Sequence, residues 1–221
     1  MYKRQVALNA TNSAGSNTIT RTGYITVTSP TSSSTVGVFR SGTFYRNGAI
    51  PVAYGLASDT PVTGNWNGGS TTGVGVFRSG TFYLNGYDGL PIAYGLASDT
   101  PVTGDWNGDG TTEVGVFRSG TFYLNGASPV EYGLASDTPV TGDWNGDGTT
   151  EVGVFRSGTF YRNGATPVEY GMASDTPVTG DWNGDGHTEV GVFRSGTFYL
   201  NGATPVAYGL AGDTPVTGKW T

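Results

Sequence analysis

Val36-Gly37-Val38-Phe39-Arg40-Ser41-Gly42-Thr43-Phe44-Tyr45 is a stretch that the chain repeats almost unchanged from Val74, Val114, Val152 and Val190. The spacings are 38, 40, 38 and 38 residues, and a period of that size marks a repeat architecture. A unit this short cannot bury a core alone, so the units must stack on one another. In the copy around Asp143, Thr138–Trp144 reads as a first strand and Glu151–Arg156 as a second. Ser157-Gly158 turns the chain into Thr159–Arg162, and Asn163-Gly164 turns it again into a fourth strand, Val168–Ala173. Asn-Gly between apolar alternations is a strong hairpin signal, and it recurs at Asn47-Gly48, Asn85-Gly86, Asn125-Gly126 and Asn201-Gly202. The two extra residues of the longest repeat follow such a turn, at Tyr87-Asp88-Gly89-Leu90, where lengthening a surface loop costs little.

Four antiparallel strands repeated radially make a β-propeller. The repeat region, residues 36–221, opens at Val36 on a second strand and stops on a first strand, Thr214–Trp220. One blade is therefore expected from both termini, with Thr214–Trp220 beside Val36–Ala57, and no orphan edge is left to aggregate. The expected fold is all-β: a five-bladed β-propeller closed by pairing of the N- and C-terminal strands, plus a short N-terminal β-segment.

Composition narrows the function classes. Thirty-eight glycines and 13% aromatic residues suit many short strands joined by tight turns. With 13% charged residues and a net charge of −6, the chain lacks the basic face that nucleic-acid binders need. No apolar run approaches the roughly 18 residues of a membrane span. Cysteine is absent, so disulfides contribute nothing. Met1-Tyr2-Lys3-Arg4 does not read as a secretion signal.

The distribution of acid is more informative than its amount. Of 17 Asp and Glu residues, nine lie in three copies of one loop: Asp105–Glu113, Asp143–Glu151 and Asp181–Glu189. Like charges packed this closely are unfavourable unless a cation sits among them. Three divalent ions (+6) would offset the formal charge of −6. Asp143-Trp144-Asn145-Gly146-Asp147-Gly148-Thr149-Thr150-Glu151 places oxygen-bearing side chains at positions 1, 3, 5 and 9. Its first six positions follow the calcium-loop pattern D-x-[DN]-x-[DN]-G. An EF-hand needs an acidic residue at position 12, where Val154 stands, and the flanks here are strands.

The loop instead resembles the calcium loops of FG-GAP and VCBS propeller repeats, which join the first two strands of a blade. That resemblance implies side-chain ligands Asp143, Asn145, Asp147 and Glu151, with the Thr149 carbonyl. It implies equivalent sets at Asp105, Asn107, Asp109, Thr111 and Glu113, and at Asp181, Asn183, Asp185, His187 and Glu189. Oxygen-only ligation of irregular geometry favours calcium over magnesium. The loop Asn65-Trp66-Asn67-Gly68-Gly69-Ser70-Thr71-Thr72-Gly73 has no carboxylate, and the last copy ends at Lys219-Trp220-Thr221. Three calcium sites are expected, not five.

Residues 1–28 lie outside the repeat. Val6, Leu8 and Ala10 alternate with polar neighbours, as do Ile25 and Val27 within Tyr24–Thr28, which reads as two strands. Asn12-Ser13-Ala14-Gly15-Ser16-Asn17 between them is dense in turn formers. The segment resembles the last strands of a PKD domain, an immunoglobulin-like module of surface proteins. Residues 29–35, Ser29-Pro30-Thr31-Ser32-Ser33-Ser34-Thr35, have linker composition.

Several residues recur once per blade. Trp66, Trp106, Trp144, Trp182 and Trp220 suit core packing or a sugar-stacking ring. Arg40, Arg78, Arg118, Arg156 and Arg194 recur in register with Asp59, Asp99, Asp137, Asp175 and Asp213, as ion pairs or as a guanidinium ring binding an anion at the channel. Tyr45, Tyr83, Tyr123, Tyr161 and Tyr199 alternate with phenylalanine, so one ring of each pair faces the core and the other is freer. His187 is the single histidine, it stands where the other loops have threonine, and nothing assembles a reacting site around it. The chain is therefore expected to be a non-enzymatic structural protein, calcium-stiffened and self-assembling into a fibre through residues 1–28. A multivalent carbohydrate-binding lectin or adhesin is the alternative. The PKD, FG-GAP and VCBS resemblances imply an extracellular or cell-surface location in a microbe, with glycans or further copies of the chain as partners.

Overall fold

The computed structural model describes residues 9–12, 15–18 and 33–220 and divides into two compact units, Met1–Thr31 and Ser32–Thr221. In the first unit Asn9–Asn12 pairs antiparallel with Gly15–Thr18, Asn9 opposite Thr18 and Asn12 opposite Gly15. The expected turn over Asn12–Asn17 is thus mostly strand. Turn propensity is a weak prior, overridden once the backbone groups find ladder partners. The strands expected around Val6, Leu8 and Tyr24–Thr28, and most of the linker, lie outside the described residues.

The second unit is five four-stranded antiparallel sheets. The first joins the chain's two ends: Thr214–Gly218 lies beside Thr35–Arg40, followed by Thr43–Arg46 and Val52–Ala53. The second comprises Thr60–Gly64, Gly73–Arg78, Thr81–Leu84 and Ile92–Ala93. The third comprises Thr100–Gly104, Glu113–Arg118, Thr121–Leu124 and Val130–Glu131. The fourth comprises Thr138–Gly142, Glu151–Arg156, Thr159–Arg162 and Val168–Glu169, and the fifth Thr176–Gly180, Glu189–Arg194, Thr197–Leu200 and Val206–Ala207. The five-bladed propeller and its closure between terminal strands are as expected from the repeat. Among the described residues no helix is long and apolar enough to cross a membrane.

Two local expectations need correction. The fourth strand of each blade is two residues long rather than six, because a glycine at positive φ (Gly171, +98°) turns the chain away. A Cβ on Gly171 would stand 2.6 Å from Val192 Cγ1 of the next blade, so the missing side chain also permits close approach. The linker ends one residue early, since Thr35 begins the closing blade's second strand.

Period-two alternation places the core between blades. In the second strands, Val36 and Val38 face the fifth blade, while Phe39 faces the other way with its cross-strand partner Phe44. Each such phenylalanine pair meets at 4.7–4.8 Å between ring centres, and all ten phenylalanines are at most 4% exposed. Full burial of one such side chain stabilises by about 1.5–3 kcal/mol. The innermost strands close as a ring. Thr63 Oγ1 donates to the Thr217 carbonyl, Thr103 to Thr63, Thr141 to Thr103, Thr179 to Thr141 and Thr217 to Thr179, at 2.8–3.0 Å. Five bonds return to their starting point.

Candidate metal sites

Each acidic loop connects the innermost strand of a blade to its second strand. The first aspartate is held by backbone: Asp105 Oδ1 accepts the Gly108 and Asp109 N–H groups at 2.7 and 3.1 Å, and Oδ2 accepts Gly110 N–H at 2.8 Å. Asn107 Oδ1 accepts Asp109 N–H at 2.8 Å, and Asp109 Oδ1 accepts Thr111 N–H at 2.8 Å. The Thr111 hydroxyl also donates to Asp109 Oδ1. Glu113 reaches back from the second strand and accepts Trp106 N–H at 3.0 Å. Glycines at positive φ (Gly108, +76°; Gly110, +87°) give the loop its curl. The other two loops repeat the bonds made by backbone N–H groups, and the Thr149 hydroxyl repeats that of Thr111.

This folding brings the expected carboxylates together. Asp105, Asp109 and Glu113 place ligand oxygens within 4.8 Å of one another, as do Asp143, Asp147 and Glu151, and Asp181, Asp185 and Glu189. Burial, followed by the charges of Asp143 and Asp147, pushes the Glu151 carboxyl above its usual range. Burial and then Asp185 and Asp181 do the same to Glu189. Hydrogen bonds from Thr149 hold Asp147 below the usual range, and Thr111 does so for Asp109. In each cluster the asparagine amide faces the carboxylates: Asn145 Nδ2 lies 3.0 Å from both Asp147 Oδ2 and Glu151 Oε1. The three carboxylates of each cluster offer negatively charged oxygens that repel one another, and a divalent cation fits them; the expected asparagine oxygens are instead turned to the N–H groups of Asp109, Asp147 and Asp185. His187 aligns its ring Nδ1 with Asp185 Oδ1 at 3.3 Å.

The second-blade loop joins the same two strands without carboxylates and without the second left-handed glycine. Asn65 stands for the first aspartate; its Oδ1 accepts Gly69 N–H at 2.8 Å and its Nδ2 donates to the Gly69 carbonyl at 2.7 Å. This loop offers no charge for an ion.

Of the other recurrent residues, four tryptophans are 6–9% exposed and pack between blades. Trp66, Trp144, Trp182 and Trp220 donate through Nε1 to backbone carbonyls at 3.2–3.4 Å. They are core residues and present no sugar platform. The arginines form ion pairs within blades: Arg118 Nε and Nη2 reach Asp99 Oδ1 and Oδ2 at 2.7 and 2.5 Å. The other four pairs match. Each guanidinium also lies over a tyrosine, Tyr45, Tyr83, Tyr123, Tyr161 or Tyr199, at 4.9–5.1 Å. The central cavity is lined by the Pro-Val-Thr segments of the five innermost strands, so the anion-binding guanidinium ring is not part of its wall.

Residues that sequence reasoning passed over are the hydroxyls at the eighth loop position. Thr72, Thr112, Thr150 and Thr188, with Ser34 in the closing blade, each accept a backbone N–H from the preceding blade's loop at 2.9–3.2 Å. Their recurrence in every copy was the available signal. Comparison with protein-family models and with curated proteins gives no match; the FG-GAP, VCBS and PKD resemblances rest on the quoted motifs.

Proposed function

We propose that this chain is a non-enzymatic structural protein of the microbial cell surface or extracellular space, a propeller stiffened by three calcium ions. The observation that carries the reading is the recurrence of one Asp–Asp–Glu cluster at the same place in three consecutive blades. Three carboxylates within 4.8 Å repel one another, and burial first, with that repulsion added to it, raises the Glu151 and Glu189 carboxyls. A cation converts the repulsion into a cross-link between the innermost and second strands. All-oxygen donors on an irregular loop favour calcium, and extracellular modules bind it with dissociation constants of roughly 10⁻⁴–10⁻³ M. The near identity of the blades and a channel wall of proline, valine and threonine support a scaffold over a reacting pocket. Assembly into a filament through residues 1–28 belongs to the same reading.

Calorimetric titration of calcium chloride into the chelator-treated chain should give three ions per chain, and two for Asp147→Ala. An ion that binds only the folded state adds about 2.7 kcal/mol at a hundredfold excess over its dissociation constant. EDTA should therefore lower the melting temperature, by roughly 2–4 °C for each kcal/mol removed. A stoichiometry of zero abolishes the reading.

A further inference from the structure

The three clusters are not separate from one another. The first ligand residue of each loop is gripped by the blade that follows. Asp105 N–H donates to Thr150 Oγ1 at 2.9 Å, and Thr150 N–H donates back to the Asp105 carbonyl at 2.7 Å. Thr150 lies between Thr149 and Glu151, both residues of the second cluster. Asp143 and Thr188 exchange the same two bonds at 3.0 and 2.7 Å, and Thr188 lies between His187 and Glu189 of the third cluster. Asp181, 7% exposed, exchanges them with Ser34 at 3.2 and 2.6 Å. Ser34 immediately precedes Thr35–Arg40 of the closing blade. A continuous path of short bonds thus runs from the loop 105–113 through both other clusters to the seam of the ring.

The path begins at a loop that needs no ion. Asn65 Nδ2 donates within its own loop to the Gly69 carbonyl and across the blade boundary to the Gly110 carbonyl, both at 2.7 Å. Asn65 N–H also donates to Thr112 Oγ1 at 2.9 Å, and Thr112 N–H donates back to the Asn65 carbonyl at 2.8 Å. An amide thereby fixes one flank of the first cluster irrespective of cation.

We propose that Thr150 and Thr188 are positioning residues that couple the three cation sites, while Ser34 ties the third to the seam of the ring. The ions then fill cooperatively, starting at the loop braced by Asn65 and ending at the ring seam. The inference rests on the cation reading given above. Its physical basis is ordering: an ion that fixes Thr149 and Glu151 also fixes Thr150, and through it the backbone of Asp105. A neighbouring site ordered in advance loses less conformational entropy when its own ion arrives. Couplings of this kind change affinity about 5- to 150-fold.

The test is a calcium titration of the chelator-treated full chain, read by calorimetry, for the parent, Thr150→Val, Thr188→Val and Thr150→Ser. Valine keeps the branched shape and the backbone bond but removes the hydroxyl acceptor; serine keeps it, as Ser34 does. The parent should bind three ions with a Hill coefficient above one. Thr150→Val and Thr188→Val should each still bind three, with a Hill coefficient lower than the parent's because each removes one of the two couplings, and with the sites beyond the break weakened at least about fivefold. Thr150→Ser should restore the parent's curve. A purely structural threonine would lower the melting temperature and leave the Hill coefficient unchanged. Three independent sites in the parent, or undiminished cooperativity in both valine variants, would overturn the coupling and leave the cation reading standing. Zero ions in the parent would overturn both, and stoichiometry separates that case from the first.

Discussion

Asp99 shows how one recurrent residue serves turn and blade together. Its side chain is fully buried, accepts Leu96 N–H at 2.7 Å and takes both arms of the Arg118 fork. That hydrogen bond, chiefly, holds the Asp99 carboxyl below its usual range, and the same holds at Asp59, Asp137, Asp175 and Asp213. A depressed folded-state pKa contributes stability above the ordinary aspartate range and loses it as pH falls through the lower folded value. Glu151 and Glu189 have the opposite sign in the cation-free chain: their raised carboxyls cost stability at neutral pH, and that cost vanishes as they protonate. With EDTA present, the urea midpoint should therefore rise slightly on mild acidification and then collapse as the five aspartates protonate. Arg118→Met leaves a buried carboxylate with one backbone donor. Because the arginine is about a third exposed, the expected loss at neutral pH is about 2–3 kcal/mol, less than for a fully buried pair. The loss should shrink at acid pH, where Asp99 is neutral. A pH-independent loss would contradict this account.

At the scale of elements, the tight hairpins are the Ser-Gly turns. Ser119 and Gly120 both have positive φ, +51° and +87°, the type I′ geometry that matches strand twist. Serine is a poor occupant of the left-handed region, whereas asparagine tolerates it. Ser119→Asn should stabilise by about 0.5 kcal/mol, seen as a higher urea midpoint at unchanged slope; a lower midpoint would mean that the serine has another role. In the Asn-Gly turns only the glycine is left-handed, as at Gly164, +79°, and five residues separate Arg162 from Val168. Sequence reading therefore placed both reversals with their lengths, two residues at Ser157-Gly158 and five between Arg162 and Val168, although Asn-Gly is the stronger two-residue hairpin signal, because dipeptide identity reports preference and not loop length. The blade number, the closure and the three acidic clusters were legible, since each depends on residues repeated at a fixed interval. The Thr150–Asp105 and Asn65–Gly110 contacts were not, because strand alternation tells which face a residue takes and nothing about its partner across a blade boundary. The shortened fourth strand was missed for a related reason: Gly171 yields to Val192, a neighbour in space only.

For the whole molecule, the proposed filament needs a part that joins one copy to another. The propeller's outermost strands are two residues long in every blade, and such short edges resist edge-to-edge pairing. The innermost strands are locked by the threonine ring and are unavailable to a second chain. Among the described residues of the other unit, Asn9–Asn12 and Gly15–Thr18 pair as two strands, an arrangement marginal in water by itself. Pairing with strands of another copy would complete it, and a head-to-tail contact that does not close builds a filament. Removing residues 1–31 leaves every ring contact described above in place, because the first of them is made by Ser34. The truncated chain should therefore melt at the parent's temperature, bind the same number of calcium ions and sediment as a monomer. The full chain, concentrated with calcium, should form filaments visible by electron microscopy and scatter light with a concentration-dependent onset. If the full chain stays monomeric at high concentration while the truncated one behaves identically, residues 1–31 do not drive assembly. If the truncated chain fails to fold, the propeller depends on that segment and the two units are not independent.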